Sequence, residues 1–173
     1  TNQAEAIQTY VKAAEQGQPH ALFRLGECYE YGTGVEQNLT TAASWYKKAV
    51  EQKYNPAMEA LKKITRVSNC WDKAVRDNDP AAQLELGKCY WFGDGIPKNQ
   101  ITAFTWFKKS GQQGNGEALH ALGICYENGQ GTDKNLANAI KFYNESAKKE
   151  YIPAVFTLAQ KYQQGIGVSQ NLT

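Results

Sequence analysis

The chain has 173 residues, of which 19 are lysine or arginine and 17 are aspartate or glutamate, so its formal net charge is +2. A balance this close to neutral argues against nucleic acid as a partner. The sequence contains no apolar run long enough to cross a bilayer and no signal-peptide pattern, so we do not expect membrane insertion.

One short stretch recurs along the chain. It stands at Leu25–Tyr29, Leu86–Tyr90, Leu122–Tyr126 and Leu158–Tyr162. Each copy is followed by a Gly-x-Gly and then by an asparagine, which is Asn38, Asn99, Asn135 or Asn171. The last three copies are spaced by 36 residues. A fixed period of this size is typical of a solenoid built from one repeated supersecondary unit.

A further, shortened repeat lies between the first two copies. Leu61 stands 36 residues after Leu25, and Ala57 precedes it by four residues, as Ala21 precedes Leu25. From Leu61 to Leu86 is only 25 residues, so 11 are missing, and no Gly-x-Gly follows. We therefore predict that the two helices of this repeat meet in a tight turn near residues 66–68.

Each repeat is predicted to be a helix, a glycine-rich loop and a second helix. Apolar positions recur at spacings of 3, 4 and 7, the stripe of an amphipathic helix. In the first full repeat, the first helix is predicted to run from Pro19 to Tyr31. The second begins at Asn38, whose side chain can cap free amides. The glycines of each loop allow a backbone turn with positive φ.

The predicted fold class is all-α, a right-handed α-solenoid of stacked helix-loop-helix repeats. The repeats are assigned in chain order as a partial repeat at 1–20, repeats at 21–56, 57–81 (shortened), 82–117 and 118–153, and a partial repeat at 154–173. Solenoids need polar capping units at their ends, and neither end has that composition. We therefore expect a fragment of a longer protein, whose ends could stack on another copy.

These residues resemble the Sel-one-like repeat family (Sel1-like repeats), relatives of the tetratricopeptide repeat. The family pattern reads here as Ala21, Leu25-Gly26, Tyr29, Gly32-x-Gly34-Val35, Asn38, Ala42, Tyr46 and Ala49. Departures are the shortened repeat, Ala159 in place of glycine and Thr132 in place of valine. The resemblance implies a protein-binding scaffold or adaptor whose first helices line a concave face. It does not choose among the signalling, degradation, cell-wall and host-contact roles of the family.

Cysteine and asparagine usage bears on the compartment. Cys28, Cys89 and Cys125 share one repeat position, which separates them by more than a disulfide can span. We interpret them as buried apolar residues of a cytoplasmic protein. The alternative is the endoplasmic reticulum lumen or secretion, since Asn38, Asn144 and Asn171 each begin an Asn-x-Ser/Thr triplet. Asn38 and Asn171 are better explained as helix caps.

No catalytic, cofactor or metal site is predicted. Ser44 and Ser146 each begin a Ser-x-x-Lys motif, but its companion motifs are missing. His20 and His120 occupy different repeat positions, and no Cys/His cluster has metal-ligand spacing. We predict a non-catalytic protein. The alternatives are a rigid architectural spacer and an enzyme or small-molecule binder in the groove.

A column of lysines follows the second helices. Its members are Lys12, Lys48, Lys73 and Lys109, flanked by Lys47 and Lys108. Acidic residues three or four positions later can pair with them on the helix surface. We interpret this lysine ridge as a solvated outer face, and an acidic partner or anionic membrane surface as the alternative.

The predicted partner-binding surface follows the first helices, as in tetratricopeptide arrays. Its partner is a protein or peptide, and its candidate residues lie off the packing positions: Arg24, Glu27, Glu30, Tyr31, Glu85, Lys88, Trp91, Phe92, His120, Ile124 and Glu127. Exposed tryptophan is a frequent interface anchor. Trp91 is therefore either such an anchor or, together with Phe92, a cover over the gap left by the shortened repeat.

Overall fold

The computed structural model describes residues 2–166, and within that range the chain forms nine α-helices and no strand. They are α1 (Asn2–Glu15), α2 (Pro19–Tyr31), α3 (Leu39–Glu51), α4 (Asn55–Arg76), α5 (Pro80–Phe92), α6 (Gln100–Gln112), α7 (Gly116–Asn128), α8 (Leu136–Lys148) and α9 (Ile152–Gln163). The all-α helical repeat fold is as predicted. Gly167 and the predicted cap and triplet at Asn171 lie outside the described residues.

The chain divides into two compact units. The first comprises Thr1–Cys70 with Phe92–Lys98, and the second comprises Trp71–Trp91 with Asn99–Thr173. In the first unit, α2 packs against α1 and α3; in the second, α7 packs against α6 and α8, and α8 packs against α9. Each unit therefore has its own stacked helices and its own core.

The second helices begin where the sequence predicted. Asn38 is the N-cap of α3, and its side chain accepts a hydrogen bond of 2.9 Å from the backbone amide of Thr41. Asn99 and Asn135 cap α6 and α8 in the same way. A capping side chain satisfies one of the free amides of the first turn. The repeated asparagine is thus explained by helix initiation.

Within residues 2–166, the second glycine of the Gly-x-Gly loops has two reasons to be glycine. Gly131 adopts a φ of 76°, which residues with a Cβ resist. A Cβ at Gly131 would also lie 2.2 Å from the carbonyl oxygen of Gln100, on the preceding second helix. In the first unit, Gly34 has a φ of 73° and lies against Ile7 of α1. The loop is therefore both turned and packed through this position.

The glycine of each Leu-Gly pair accommodates an aromatic ring. A Cβ added at Gly26 would lie 2.4 Å from the ring of Tyr46, and one at Gly123 would lie 2.3 Å from the ring of Tyr143. Both tyrosines are almost fully buried. The ring of the following second helix therefore approaches the first helix closely at this glycine.

The shortened repeat does not contain the tight turn that we predicted near residues 66–68. Residues 55–76 form one continuous helix, α4. Between Pro56 and Arg76 the sequence has neither glycine nor proline, so nothing ends a helix there. Ala57, Ile64 and Val67 of α4 are buried in the first unit, at spacings that place them on one helical face. Loss of the loop has fused the two predicted helices.

Candidate partner-binding surface

We use the name first-helix surface for the predicted residues Arg24, Glu27, Glu30, Tyr31, Glu85, Lys88, Trp91, Phe92, His120, Ile124 and Glu127. In the first unit, Arg24 donates a hydrogen bond of 2.7 Å to Glu27, one turn away on α2. This hydrogen bond raises the pKa of Arg24. Tyr31, at the end of the same helix, is exposed. These three side chains are accessible to a partner.

Glu30 corrects part of the prediction, because its side chain is not presented to solvent. Only 5% of Glu30 is exposed, and its carboxylate accepts a hydrogen bond of 2.5 Å from the hydroxyl of Tyr46 on α3. Burial and this carboxylate raise the pKa of Tyr46. Glu30 therefore joins the two helices of one repeat.

A groove lies between α1 and α2 in the first unit. Its volume is about 390 Å³, and we call it the α1–α2 groove. The residues that line it include Ala6, Ile7, Tyr10, Arg24, Glu27 and Tyr31. The α1 side combines the polar side chain of Gln3 with apolar side chains, whereas the α2 side carries the Arg24–Glu27 ion pair. Three predicted partner-binding residues thus border this groove.

In the second unit, polar side chains link successive first helices. Lys88 of α5 donates hydrogen bonds of 2.8 Å to Glu85, on its own helix, and of 2.8 Å to Glu117 of α7. Burial alone would lower the pKa of Lys88, but the two carboxylates outweigh that effect and raise it. Lys88 remains a cation and joins α5 to α7.

His120 makes the corresponding link from α7 to α9. Its Nε2 lies 3.0 Å from the hydroxyl of Thr157, which donates its own proton to the carbonyl of Pro153. Because that hydroxyl proton is already used, Nε2 is the donor in the contact with Thr157. The imidazole packs against the rings of Tyr143 and Tyr151. Burial lowers the pKa of His120, so the neutral ring is favoured.

Glu127 is held by two donors. The hydroxyl of Tyr143 donates to it over 2.7 Å, and Lys161 of α9 forms an ion pair with it. Burial alone would raise the pKa of Glu127, but the hydrogen bonds from Lys161 and Tyr143 lower it. Ile124, one turn earlier, is half-buried against the core that contains Tyr143 and Leu158. Both side chains therefore contact neighbouring helices and also belong to the first-helix surface.

Trp91 is half-buried rather than an exposed anchor. Its indole packs on Phe107 of α6, with the ring centroids 5.9 Å apart. Trp91 occupies the repeat position of Glu30 and Glu127, and Phe107 that of Tyr46 and Tyr143. Where the second helix has phenylalanine, without a hydroxyl to donate, the first helix has tryptophan instead of glutamate. Its neighbour Phe92, in the first unit, is 72% exposed.

The prediction did not include several residues that contact members of this surface. They are Tyr46, Tyr143, Glu117, Thr157 and Lys161. A signal for the first two was present in the sequence, since tyrosine and glutamate occur together at two fixed repeat positions and change together to phenylalanine and tryptophan. Glu117, Thr157 and Lys161 occupy unrelated repeat positions and gave no such signal.

Three of the cysteines and the serine of one Ser-x-x-Lys motif have structural explanations. Cys28, Cys89 and Cys125 are buried, and burial raises the pKa of Cys125 to about 12 and that of Cys28 above its usual value. Ser146 is buried and donates to the carbonyl of Gly116 over 2.6 Å. Among residues 2–166, no group of three or more His, Cys, Asp or Glu side chains could hold a metal ion.

Part of the lysine ridge is held on aromatic rings. The Nζ of Lys48 lies 4.2 Å from the ring centroid of Trp45, and that of Lys109 lies 4.2 Å from that of Trp106. Such cation–π contacts are favourable at exposed sites. In the described part of the chain, none of the helices is both long and apolar enough to span a membrane.

The fold and the repeated contacts define a helical-repeat protein of the Sel1 class. The Sel1 repeat model matches residues 19–54, 80–115, 116–151 and 153–173, and the chain belongs to this family. Sel1 repeat proteins generally mediate protein–protein interactions. The matched ranges leave out residues 55–79, which contain most of the fused helix α4.

Curated relatives and solved structures are similar to parts of this chain. An uncharacterized protein of Neisseria meningitidis is 30% identical over 54% of this chain and 21% of its own length. The rat DAP3-binding cell death enhancer 1 is 35% identical over 38% of this chain and 13% of its own. The yeast chitin synthase regulator SKT5 is 40% identical over 34% of this chain and 8% of its own. The chain thus spans about a fifth or less of these relatives.

Two crystal structures share the fold. One is a protective antigen of uropathogenic Escherichia coli that displays an SLR fold, with a TM-score of 0.56, 26% identity and coverage of 95% of this chain and 38% of that one. The other is a Sel1 repeat protein from Oxalobacter formigenes, with a TM-score of 0.51, 28% identity and coverage of 95% and 57%.

Proposed function

We propose that this chain is a non-catalytic scaffold that binds a protein or peptide partner along the first-helix surface. The observation that carries the proposal is the continuity of charged and polar groups across successive first helices in the second unit. Lys88 links α5 to α7 through Glu117, and His120 links α7 to α9 through Thr157. Such links hold neighbouring side chains in fixed positions, which lowers the entropy that a partner loses on binding.

The chemistry of the buried groups supports a binding role over a catalytic one. The raised pKa of the Cys125 thiol keeps it protonated near neutral pH, and a thiol is a weak nucleophile. His120 uses its Nε2 proton in the contact with Thr157. Neither group is arranged as a nucleophile with an adjacent base.

The names of two relatives agree with a scaffold function. One is called a DAP3-binding protein and another a chitin synthase regulator, and both names describe an effect on another protein. We propose the same kind of role for this chain, with a partner of its own. Its buried thiols favour a reducing compartment, and we propose the cytoplasm. Fractionation of cells that express the chain, with markers for cytoplasm and endoplasmic reticulum lumen, tests that location.

Affinity capture with paired variants tests the binding surface. The bait is the 173-residue chain, and the surface variant carries Glu85→Arg and Phe92→Ser, since both side chains are accessible and neither lies in a buried contact. The matched control carries Lys47→Glu and Lys108→Glu on the second helices. Circular dichroism and thermal unfolding establish that all three chains fold equally.

We expect a partner that binds the unchanged bait and the second-helix control but not the surface variant. Capture by the surface variant with loss in the control would place binding on the lysine ridge and contradict the proposal. A partner retained equally by all three chains would contradict binding at the first-helix surface and binding at the lysine ridge. Absence of any specific partner would favour the architectural spacer.

A further inference from the structure

The fused helix α4 leaves an aromatic residue of the second unit partly uncovered. Trp71 stands at the repeat position of Tyr46, Phe107 and Tyr143. Those three side chains are at most 3% exposed, whereas Trp71 is 42% exposed. Val75, one turn later on the same helix, is 53% exposed. Two neighbouring apolar side chains in the middle of the chain therefore remain accessible.

The continuity of α4 explains why Trp71 is uncovered. In the first full repeat, Phe23 of the first helix packs on Tyr46 of the second, with the ring centroids 5.3 Å apart. Glu59 occupies the position of Phe23 in the shortened repeat. Glu59 and Trp71 lie 12 residues apart on one continuous helix, which is about 18 Å along its axis. The first part of α4 therefore cannot fold back over Trp71.

A groove extends from Trp71 between α4 and α6. At one end, Trp71 meets Trp106 edge-on, with the ring centroids 5.8 Å apart. The groove continues as a cavity of about 310 Å³, whose lining includes Val75, Asn78, Gln83, Lys109, Gln112 and Gln113. We call the cavity together with the two tryptophans the α4–α6 groove, and all of these residues belong to the second unit.

The polar end of the groove is built from amide side chains. Gln83 is 1% exposed; it donates a hydrogen bond of 2.8 Å to the Oδ1 of Asn78 and accepts one of 2.8 Å from the Nε2 of Gln113. Within residues 2–166, the Nδ2 of Asn78 and the Oε1 of Gln113 make no hydrogen bond. One donor and one acceptor are therefore available, which is the pair that a peptide group requires.

Lys109 gives the groove its charge. Its Nζ lies 4.2 Å from the ring centroid of Trp106, and among the described residues it makes no ion pair. The other lysines of the ridge column are each followed, three or four residues later, by a carboxylate. Gln112 and Gln113 follow Lys109 at those distances instead. The cation is therefore available to an anionic group from outside the chain.

Carboxylates on the adjoining segment do not neutralise this charge. Asp72 lies 3.6 Å from Arg76, and Asp79 accepts a hydrogen bond of 2.9 Å from the backbone amide of Ala82. Neither they nor Asp77 belongs to the described lining of the cavity. The groove thus combines a cation, exposed apolar surface and available amide groups, which complements an acidic residue flanked by an apolar one.

We propose that the α4–α6 groove binds an acidic segment of a protein partner. A carboxylate of the segment pairs with Lys109, and its backbone bonds to Asn78 and Gln113. An apolar side chain beside the carboxylate packs on Trp71 and Val75. This inference goes beyond the scaffold function proposed above, because it concerns a second binding surface, separate from the first-helix surface, and states the chemistry of what binds there.

The test begins with a random peptide library displayed on phage and selected on the 173-residue chain. Counter-selection on the Val75→Gln chain removes peptides that bind elsewhere and does not favour either charge. We expect the enriched peptides to carry aspartate or glutamate next to an apolar residue. One such peptide is then synthesised and titrated into the unchanged chain by calorimetry. Replacing its acidic residue by the corresponding amide should raise the Kd at least about tenfold, because a charge-assisted contact is lost.

Variants of the chain locate the contact. Lys109→Gln should raise the Kd for the acidic peptide at least about tenfold, since it removes the paired cation. Lys108→Gln is the matched control, because it removes an exposed lysine that is not in the described lining, and it should change the Kd less than about twofold. Circular dichroism first verifies that each variant folds.

Exchange of the two charges gives the decisive result. Lys109→Glu should abolish binding of the acidic peptide, and the same peptide with lysine in place of its acidic residue should recover most of the affinity for the Lys109→Glu chain. A merely structural role of Lys109 would not produce this recovery.

Failure to enrich any peptide, or enrichment of peptides without an acidic residue, would overturn the proposal. So would a Kd that Lys109→Gln leaves unchanged. Sedimentation with vesicles of phosphatidylcholine and phosphatidylserine that depends on Lys109, without peptide binding, would overturn it in favour of a membrane surface. The Glu85→Arg, Phe92→Ser variant should bind the acidic peptide as the unchanged chain does, so the first-helix surface and this groove can fail separately.

Discussion

The indole of Trp91 packs on the ring of Phe107 at the same repeat positions where Glu127 accepts a hydrogen bond from Tyr143. The first unit has the polar version again, in Glu30 and Tyr46. At these repeat positions the two helices are joined either by a hydrogen bond between tyrosine and glutamate or by ring packing between phenylalanine and tryptophan. Each kind of contact needs both of its residues. The contact with Phe107 gives the tryptophan a packing role within its repeat.

We predict that the two versions can be exchanged. Tyr46→Phe removes a donor from the buried carboxylate of Glu30, which should lower the free energy of unfolding by about 1–3 kcal/mol. Adding Glu30→Trp recreates the Trp91–Phe107 pair and should recover at least part of that loss. Urea unfolding of the two single variants and the double variant measures the coupling energy, which we expect to be about 1 kcal/mol. Strictly additive losses would contradict the exchange.

Gly123→Ala should destabilise the chain although alanine is the better helix former. The added Cβ would lie 2.3 Å from the ring of Tyr143, which would have to move and would weaken its hydrogen bond to Glu127. We expect a loss of about 1–3 kcal/mol, the usual effect of overpacking a core. In a Tyr143→Leu background the same substitution should cost much less. An equal loss in both backgrounds would show that the ring is not the obstacle.

Leu122→Ala tests the repeat register. Leu122 is 1% exposed in the core of the second unit, where it lies close to Gly111 of α6. Removal of its side-chain carbons should cost about 2–5 kcal/mol, because a transfer term and a cavity term add. Ile101→Ala, at an exposed position, is the control and should change stability by less than about 0.5 kcal/mol. A similarly small effect at Leu122 would contradict the assigned repeat position.

His120 should make stability depend on pH below neutrality. Its pKa is lowered in the folded chain, so the unfolded chain binds a proton first as the pH falls. The stabilisation is complete above the unfolded pKa of about 6.5 and is lost progressively as the pH falls from there towards the folded value. His120→Gln, which does not titrate, is the control. Thermal unfolding between about pH 7 and pH 5 should show a steeper decline for the unchanged chain; parallel curves would contradict this assignment.

Patterns within a few neighbouring residues account for most of the structural features that the sequence determines. The repeat positions, the helix boundaries at Pro19 and Tyr31, and the cap at Asn38 depend on residues within a few positions of one another. Turn, cap and helix preferences act over that distance, and the repeat shows each of them several times. The continuous helix α4 departs from the repeat pattern because residues 57–76 contain neither glycine nor proline, so no local signal ends the helix there.

Only the tertiary structure decided which predicted surface residues are accessible. Glu30 and Glu127 stand at one repeat position and were both assigned to the partner surface, yet Glu30 is buried under Tyr46, whereas Glu127 also pairs with Lys161 of α9. The side chain of Trp91 points into a contact with Phe107, 16 residues further along the chain. Helical periodicity tells which face of a helix a residue occupies. The partner across that face, and hence the exposure and the pKa of the group, depends on how neighbouring helices pack.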